Sequence, residues 1–129
     1  LIVDSSALIA IAVEEPIARS LVTRLRRSDA RGVGTPTLVE TGIVLGSRIG
    51  TDVASASLSI LLERFDIRPV AFGDRHWREA LRAALHYGRG RHPAALNFGD
   101  CLTYAVAKLS GQPLLCTGDD FARTDLVLA

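Results

Sequence analysis

Short apolar runs alternate with longer amphipathic stretches along this chain, and the alternation predicts a sheet fed by helices. Leu1 to Val3 are apolar and are followed by Asp4-Ser5-Ser6, the pattern of a buried strand handing over to a helix through a side-chain cap. Ala7 to Glu14 is almost wholly apolar, so the helix it predicts is deeply buried. Pro16 opens a second helix at its first turn, with Ile17, Leu21 and Leu25 on one face and Arg19, Arg24, Arg26 and Arg27 spread over the others. Gly32 to Thr35 predicts a short strand. Thr35-Pro36 then reads as an N-cap with proline at the first helical position, starting a helix to about Arg48.

Gly50-Thr51-Asp52 breaks the pattern and restarts it. The next helix runs to about Phe65, with Ala54, Leu58, Leu61 and Phe65 on one face. Ile67 to Phe72 predicts a strand, and Pro69 within it favours an edge or bulged position because proline cannot donate to a ladder. Asp74 is expected to cap an amphipathic helix that turns Trp77, Ala80, Leu81 and Ala84 inward. Gly88 to Pro93 reads as a loop. Asn97 starts a helix with Leu102, Ala105, Val106 and Leu109 on one face, ended by Gly111. Pro113 to Cys116 predicts a strand and Leu126 to Leu128 a candidate last one. Strands that alternate with helices imply an α/β domain with a mostly parallel sheet covered on both faces.

Composition narrows the picture. At 129 residues, 48% of them hydrophobic, the chain suits a single globular domain and not a disordered one. A net charge of +1 leaves no global field for a polyanion, so any nucleic-acid binding must be local. No apolar run approaches the length of a membrane span, and no basic leader precedes a hydrophobic signal core. Cys101 and Cys116 are too few for a secreted disulfide framework and lack metal-ligand spacing, which favours a reducing, cytoplasmic setting.

Four acids stand near the ends of apolar segments: Asp4, Glu40, Asp100 and Asp119. Ligand sites of open parallel sheets form outside the carboxyl ends of the strands. Asp4 and Asp119 follow strands directly, Glu40 lies early in a helix that follows one, and Asp100 sits three residues after Asn97. Each has a plainer role: Asp4 and Asp119 as helix caps, Asp100 as the partner of Asn97 in a capping box, Glu40 on a solvated face. Together they can face one edge of the sheet. Several carboxylates in one pocket repel, by about 4 kcal/mol per pair at 4 Å and an effective dielectric near 20. Raised pKa values or a bound cation must follow. An all-oxygen site suits Mg²⁺, or Mn²⁺ in its place, and such ions serve phosphodiester hydrolysis.

These residues lie in segments that resemble a known family. LIVDSSALIAI around Asp4, PTLVETGIVL around Glu40, GRGRHPAALNFGDCLTYAVAK around Asp100 and QPLLCTGDDFARTD near the end resemble PIN-domain nucleases, and among them the VapC toxins of bacterial toxin–antitoxin systems. The resemblance covers almost the whole chain. It implies a three-layer α/β/α sandwich with a small central sheet, and a magnesium-dependent endoribonuclease that leaves a 5′-phosphate and a 3′-hydroxyl. Asp4, Asp100 and Asp119 would be the metal-side carboxylates, with Glu40 a ligand or the group orienting the water. Asp119 is taken as the fourth acid, although the adjacent Asp120 could share or take the role. Ser6 and Thr117 would support the acids or the metal's waters. Structured RNA such as transfer RNA or ribosomal hairpins, a cognate VapB-like antitoxin and a second copy of the chain are the implied partners.

Arg89, Arg91 and His92 precede the Asp100 helix and are candidates for holding RNA phosphates, which position a substrate without reading its sequence. Aromatic residues make up only 5% of the chain, so shape and backbone are the expected RNA cues in place of base stacking. Ile11, Val13, Ile43 and Leu45 exceed what a small sheet needs and are either core or a partner surface. Two other readings compete: a PIN scaffold that binds without cutting, and a receiver-like signalling module. The second wants an acidic pair at the first strand and a late lysine by the acceptor, whereas Asp4 precedes two serines and Lys108 is the only lysine.

Overall fold

Alternating side chains of the strands sort the core into two layers, one on each side of a parallel sheet. In the computed structural model, which describes residues 1–129, the elements run β1 (Ile2–Val3), α1 (Ser5–Ala12), α2 (Ala18–Arg26), β2 (Arg31–Gly34), α3 (Thr35–Ile49), α4 (Thr51–Arg64), β3 (Ile67–Val70), α5 (Asp74–Tyr87), α6 (Phe98–Ser110) and β4 (Leu114–Leu115). A 3-10 turn follows at Asp120–Arg123. The strands lie in the order β3-β2-β1-β4, and every pair is parallel.

Neighbouring strand residues point to opposite faces. Leu1, Val3 and Leu115 therefore join one cluster with α1, α2 and α4, including Leu8, Leu21, Leu25, Leu61 and Phe65. Ile2 and Leu114 join the other, with Ala80 and Ala83 of α5 and Tyr104, Ala105 and Val106 of α6. The result is three layers, helix, sheet and helix. Pro69 pairs with Val33 on β3, an edge strand, where a missing N–H costs least. The last apolar segment adds one parallel bridge, Leu128 to Leu114, and not a full strand.

The helix starts shift by a residue or two from the sequence reading. β2 runs into α3 without a loop, so Gly34 is the cap and Thr35 is already helical. Asp74 is the first residue of α5 after a Gly73 cap, and its carboxylate accepts bonds from Trp77 Nε1 (2.9 Å) and Arg78 Nε (3.0 Å). Trp77 and Leu81 do not turn inward: they are 46% and 51% exposed. The buried stripe of α5 runs instead through the small residues Ala80 and Ala83, which let it approach α6 closely. Ile11 and Leu45 are core, while Ile43 is exposed.

Candidate active site

The chain leaves the central strand β1 and turns at once into α1. Asp4 makes that turn. Its Oδ2 accepts the Ser6 amide (3.0 Å) and the Ser6 hydroxyl (2.6 Å), capping the helix. The Ser6 Oγ in turn accepts the Thr117 amide at 3.0 Å. One polar chain therefore ties the end of β1 to the segment after β4, its neighbour in the sheet. From β1 the chain steps outward through β2 to β3, then returns to β4 on the other side of β1. That reversal of strand order is where open α/β sheets place ligands.

Two helices bring the other acids to this edge. Asn97 and Asp100 form a capping box at the start of α6: Asp100 N donates to Asn97 Oδ1 (2.9 Å), and Asn97 N donates to Asp100 Oδ2 (2.8 Å). Glu40 lies in the second turn of α3. The buried hydroxyls of Thr37 and Thr103 meet at 3.0 Å, clasping α3 to α6 three residues from Glu40 and Asp100 respectively. Gly99 completes the approach. A Cβ there would fall 2.5 Å from Glu40 Oε1 and 2.7 Å from Oε2, so the bare glycine is what lets the Glu40 carboxylate rest where it does against the first turn of α6.

These pieces enclose a cleft of about 380 Å³ walled by Asp4, Ser5, Ser6, Glu15, Glu40, Arg48, Asn97, Asp100, Thr117 and Asp120, with Ile9, Val44 and Phe121 as its apolar parts. Five carboxylates face one guanidinium. Burial, and after it this imbalance, raises the pKa of two of the acids. Burial pushes Asp100 up to about 6, and the charges of Asp4, Asp120 and Glu40 push the same way against the stabilising Asn97 amide. Glu40 is also raised, by burial and then by Asp4, with the Ser5 hydroxyl partly offsetting them. Burial raises the nearby Cys101 thiol and pushes Cys116 up to about 11, which disfavours the reactive thiolate at both.

Asp4, Glu40 and Asp100, singled out from the sequence, share the cleft, as do Ser6 and Thr117. The fourth wall is Asp120. Asp119 lies outside the cleft as the exposed cap of the 3-10 turn. Gly118, at φ +74, swings the chain after β4, and buried Phe121 anchors it directly after Asp120. Counting residues from a strand end cannot register a left-handed glycine. Arg89, Arg91 and His92 also lie off the acidic cleft. Arg89 borders an apolar channel between α5 and α6, and His92 packs its ring on Tyr87 while its Nδ1 accepts the Ala94 amide. Glu15, Arg48 and Gly99 were not singled out. Arg48 had a signal, since it falls on the Glu40 face of α3 two turns on.

The donor set is all hard oxygen. Asp4 and Asp100 each spend Oδ2 on a cap and keep Oδ1 free of protein hydrogen bonds. No three side chains are placed to ligate a single ion directly. The cleft's oxygen donors are of the kind that hard cations prefer.

Known proteins place the same frame. The PIN domain family matches residues 1–126. Ribonuclease VapC of Mycolicibacterium smegmatis is 42% identical over 127 residues, covering 98% of this chain and 97% of that one. Ribonuclease VapC36 of Mycobacterium tuberculosis is also 42% identical over 127 residues, with 98% and 91% covered. Among solved structures, Mycobacterium tuberculosis VapC20, described as a Sarcin-Ricin loop cleaving toxin, superposes with a TM-score of 0.78 at 19% identity, covering 99% and 97% of the two chains. A toxin–antitoxin complex from Klebsiella pneumoniae gives 0.71 at 15% identity, with 99% and 95% covered. With the acids of β1, α3 and α6 gathered at one sheet edge, and with relatives this similar over nearly the full length, the chain belongs to the PIN-domain family, among the VapC ribonucleases.

Proposed function

We propose that this protein is a magnesium-dependent endoribonuclease, the toxin of a toxin–antitoxin pair, that hydrolyses phosphodiester bonds of structured RNA in the cytoplasm. The observation that carries the reading is the convergence of Asp4, Glu40, Asp100 and Asp120 on one cleft at the strand-order reversal. Asp4 and Asp100 would hold the cation through their free Oδ1 atoms, with Asp120 extending the acidic wall. Bound there, Mg²⁺ (or Mn²⁺) would neutralise the phosphodiester and lower the pKa of water. Glu40, raised above an ordinary carboxylate, is suited to accept the proton of the attacking water and to orient its oxygen toward phosphorus. The phosphorus–oxygen bond to the 3′ oxygen breaks as the new one forms, leaving a 5′-phosphate and a 3′-hydroxyl that takes up a proton. The Ser6–Asp4 bond and the capping box fix the carboxylates so that little reorganisation is needed during the reaction.

Structured RNA is the favoured substrate class because VapC20 is described as cleaving the Sarcin-Ricin loop. That the Klebsiella structure is a toxin–antitoxin complex supports an antitoxin partner, which we take to be VapB-like and to mask the cleft. Exposed Val39 and Ile43 on α3 provide an apolar surface for the antitoxin or for a second copy in a homodimer. The receiver-like alternative has no support in the geometry. Lys108, the only lysine, pairs with Asp125 at 2.5 Å and does not line the acidic cleft. No helix is long and apolar enough to cross a membrane. The test is cleavage of a ribosomal hairpin and of transfer RNA by purified protein. Magnesium should support cutting and a chelator stop it, and Glu40→Gln should cut about 10²–10⁴-fold more slowly. Full activity in Asp4→Asn or Asp100→Asn would count against the reading.

A further inference from the structure

The acidic cleft must receive a polyanion, yet its wall carries one cation, Arg48, against Asp4, Glu15, Glu40, Asp100 and Asp120. Arg48 shares a face of α3 with Glu40 and Val44, at spacings of four residues, so it stands about 12 Å along the helix axis from Glu40. Its Nη1 donates to Glu15 Oε1 at 2.9 Å, and the rest of the guanidinium makes no other bond to the protein. The pair is half exposed, 50% for Arg48 and 39% for Glu15. Such a pair contributes little to folding and is cheap to exchange.

Glu15 is placed by strained backbone. Glu14 adopts φ +55, the left-handed region that favours glycine, and closes α1 with Glu14 N donating to Ile11 O and Glu15 N to Ala10 O. That turn delivers the Glu15 carboxylate to the cleft rim, and Pro16 stiffens the chain just beyond it. This left-handed close of α1 sets the Glu15 carboxylate beside the only cation on the cleft wall. A guanidinium binds phosphate through two parallel N–H bonds more strongly than it holds one carboxylate oxygen at a wet rim.

We propose that Arg48 binds an RNA phosphate beside the scissile one, and that Glu15 is the resident counterion that holds Arg48 over the cleft until RNA displaces it. This rests on the ribonuclease reading of the same cleft. Binding of a fluorescent ribosomal hairpin tests it, measured in magnesium against salt concentration on the Asp100→Asn background, with cleavage kinetics measured in the otherwise unaltered chain. Arg48→Gln is expected to weaken binding severalfold, to lower the log–log salt slope by about 0.7–0.9, and to raise KM more than it lowers kcat. Arg48→Lys should restore the slope with only part of the affinity. Glu15→Gln should keep the slope and bind as tightly or more tightly, because the phosphate no longer competes with a carboxylate.

An unchanged slope in Arg48→Gln overturns the inference, and so does equal weakening by Glu15→Gln and Arg48→Gln, which marks a merely structural tie. RNA binding with an Arg48-dependent slope but no cutting would refute the ribonuclease reading and leave Arg48 as a phosphate contact of a cleft that binds RNA without cutting it. Cutting with an Arg48-independent slope would do the reverse. No RNA binding at all refutes both.

Discussion

Asp100 serves two masters at the scale of one residue. Its Oδ2 caps α6 by accepting the Asn97 amide, while burial and three neighbouring carboxylates push its pKa up to about 6. A carboxylate whose pKa is raised in the folded state binds its proton more tightly there than in the unfolded chain. Its stabilising contribution is present at low pH and is lost as pH rises through about 6, with Glu40 adding in the same direction. Without divalent metal, Asp100→Asn should therefore gain melting temperature relative to the parent as pH rises from 4 to 7.5, and a pH-independent difference would contradict this. Asn keeps an acceptor for the Asn97 amide, so the comparison leaves the cap in place. Gly99 makes a second case. In Gly99→Ala the new methyl meets only the flexible end of Glu40, so thermal stability should change by less than about 1 kcal/mol. The displaced carboxylate should nonetheless cut RNA at least about 10-fold more slowly, since small misplacements near the chemistry are costly.

Among elements, α3 and α6 hold the site open at a fixed spacing through the Thr37–Thr103 bond. Removing one hydroxyl leaves the other buried without that partner, at a cost of about 1–3 kcal/mol, whereas removing both can be nearly neutral. Thr37→Val and Thr103→Val should each destabilise in urea, and the double variant should cost clearly less than their sum. Additive losses would show that the bond is not the link between the helices. The same elements show what a sequence discloses. The capping residues Asp4 and Asn97–Asp100 were legible because a cap is local: short polar side chains before apolar periodicity specify it within four residues. The parallel sheet was legible through alternation, and Pro69 pointed to an edge or bulged place for β3, of which the structure shows the edge. Inward placement of Trp77 failed because two alanines, Ala80 and Ala83, let α5 approach α6 on a neighbouring stripe. Between Asp119 and Asp120, the structure puts Asp120 on the cleft wall, after a left-handed Gly118 that counting along the chain does not register. The Glu15–Arg48 pair joins residues 33 apart in sequence through a strained turn, and no local pattern announces such a contact.

For the molecule as a whole, a net charge of +1 conceals a strong local field. Arginines pair or spread over the outer helices, while the cleft keeps five carboxylates and one guanidinium. The fold accepts that repulsion because the acids also cap helices and bridge strand ends, so removing them would expose other costs. The divalent cation proposed for this cleft would relieve the repulsion, and it would bind the folded state alone, since only folding brings Asp4 and Asp100 to one cleft. Stabilisation should then follow ligand linkage, about 2.7 kcal/mol when free Mg²⁺ is 100 times its dissociation constant. The cation competes with the proton for Asp100, so the gain must grow with pH: small near pH 5, where Asp100 is largely protonated, and near its full value by pH 7.5. Melting curves with and without magnesium at those two pH values, with sodium added at equal ionic strength as the screening control, measure it. In Asp4→Asn the magnesium effect should largely vanish while the sodium effect persists. If sodium matches magnesium, or if the gain is the same at both pH values, the cleft is a screened acidic surface and holds no cation of its own.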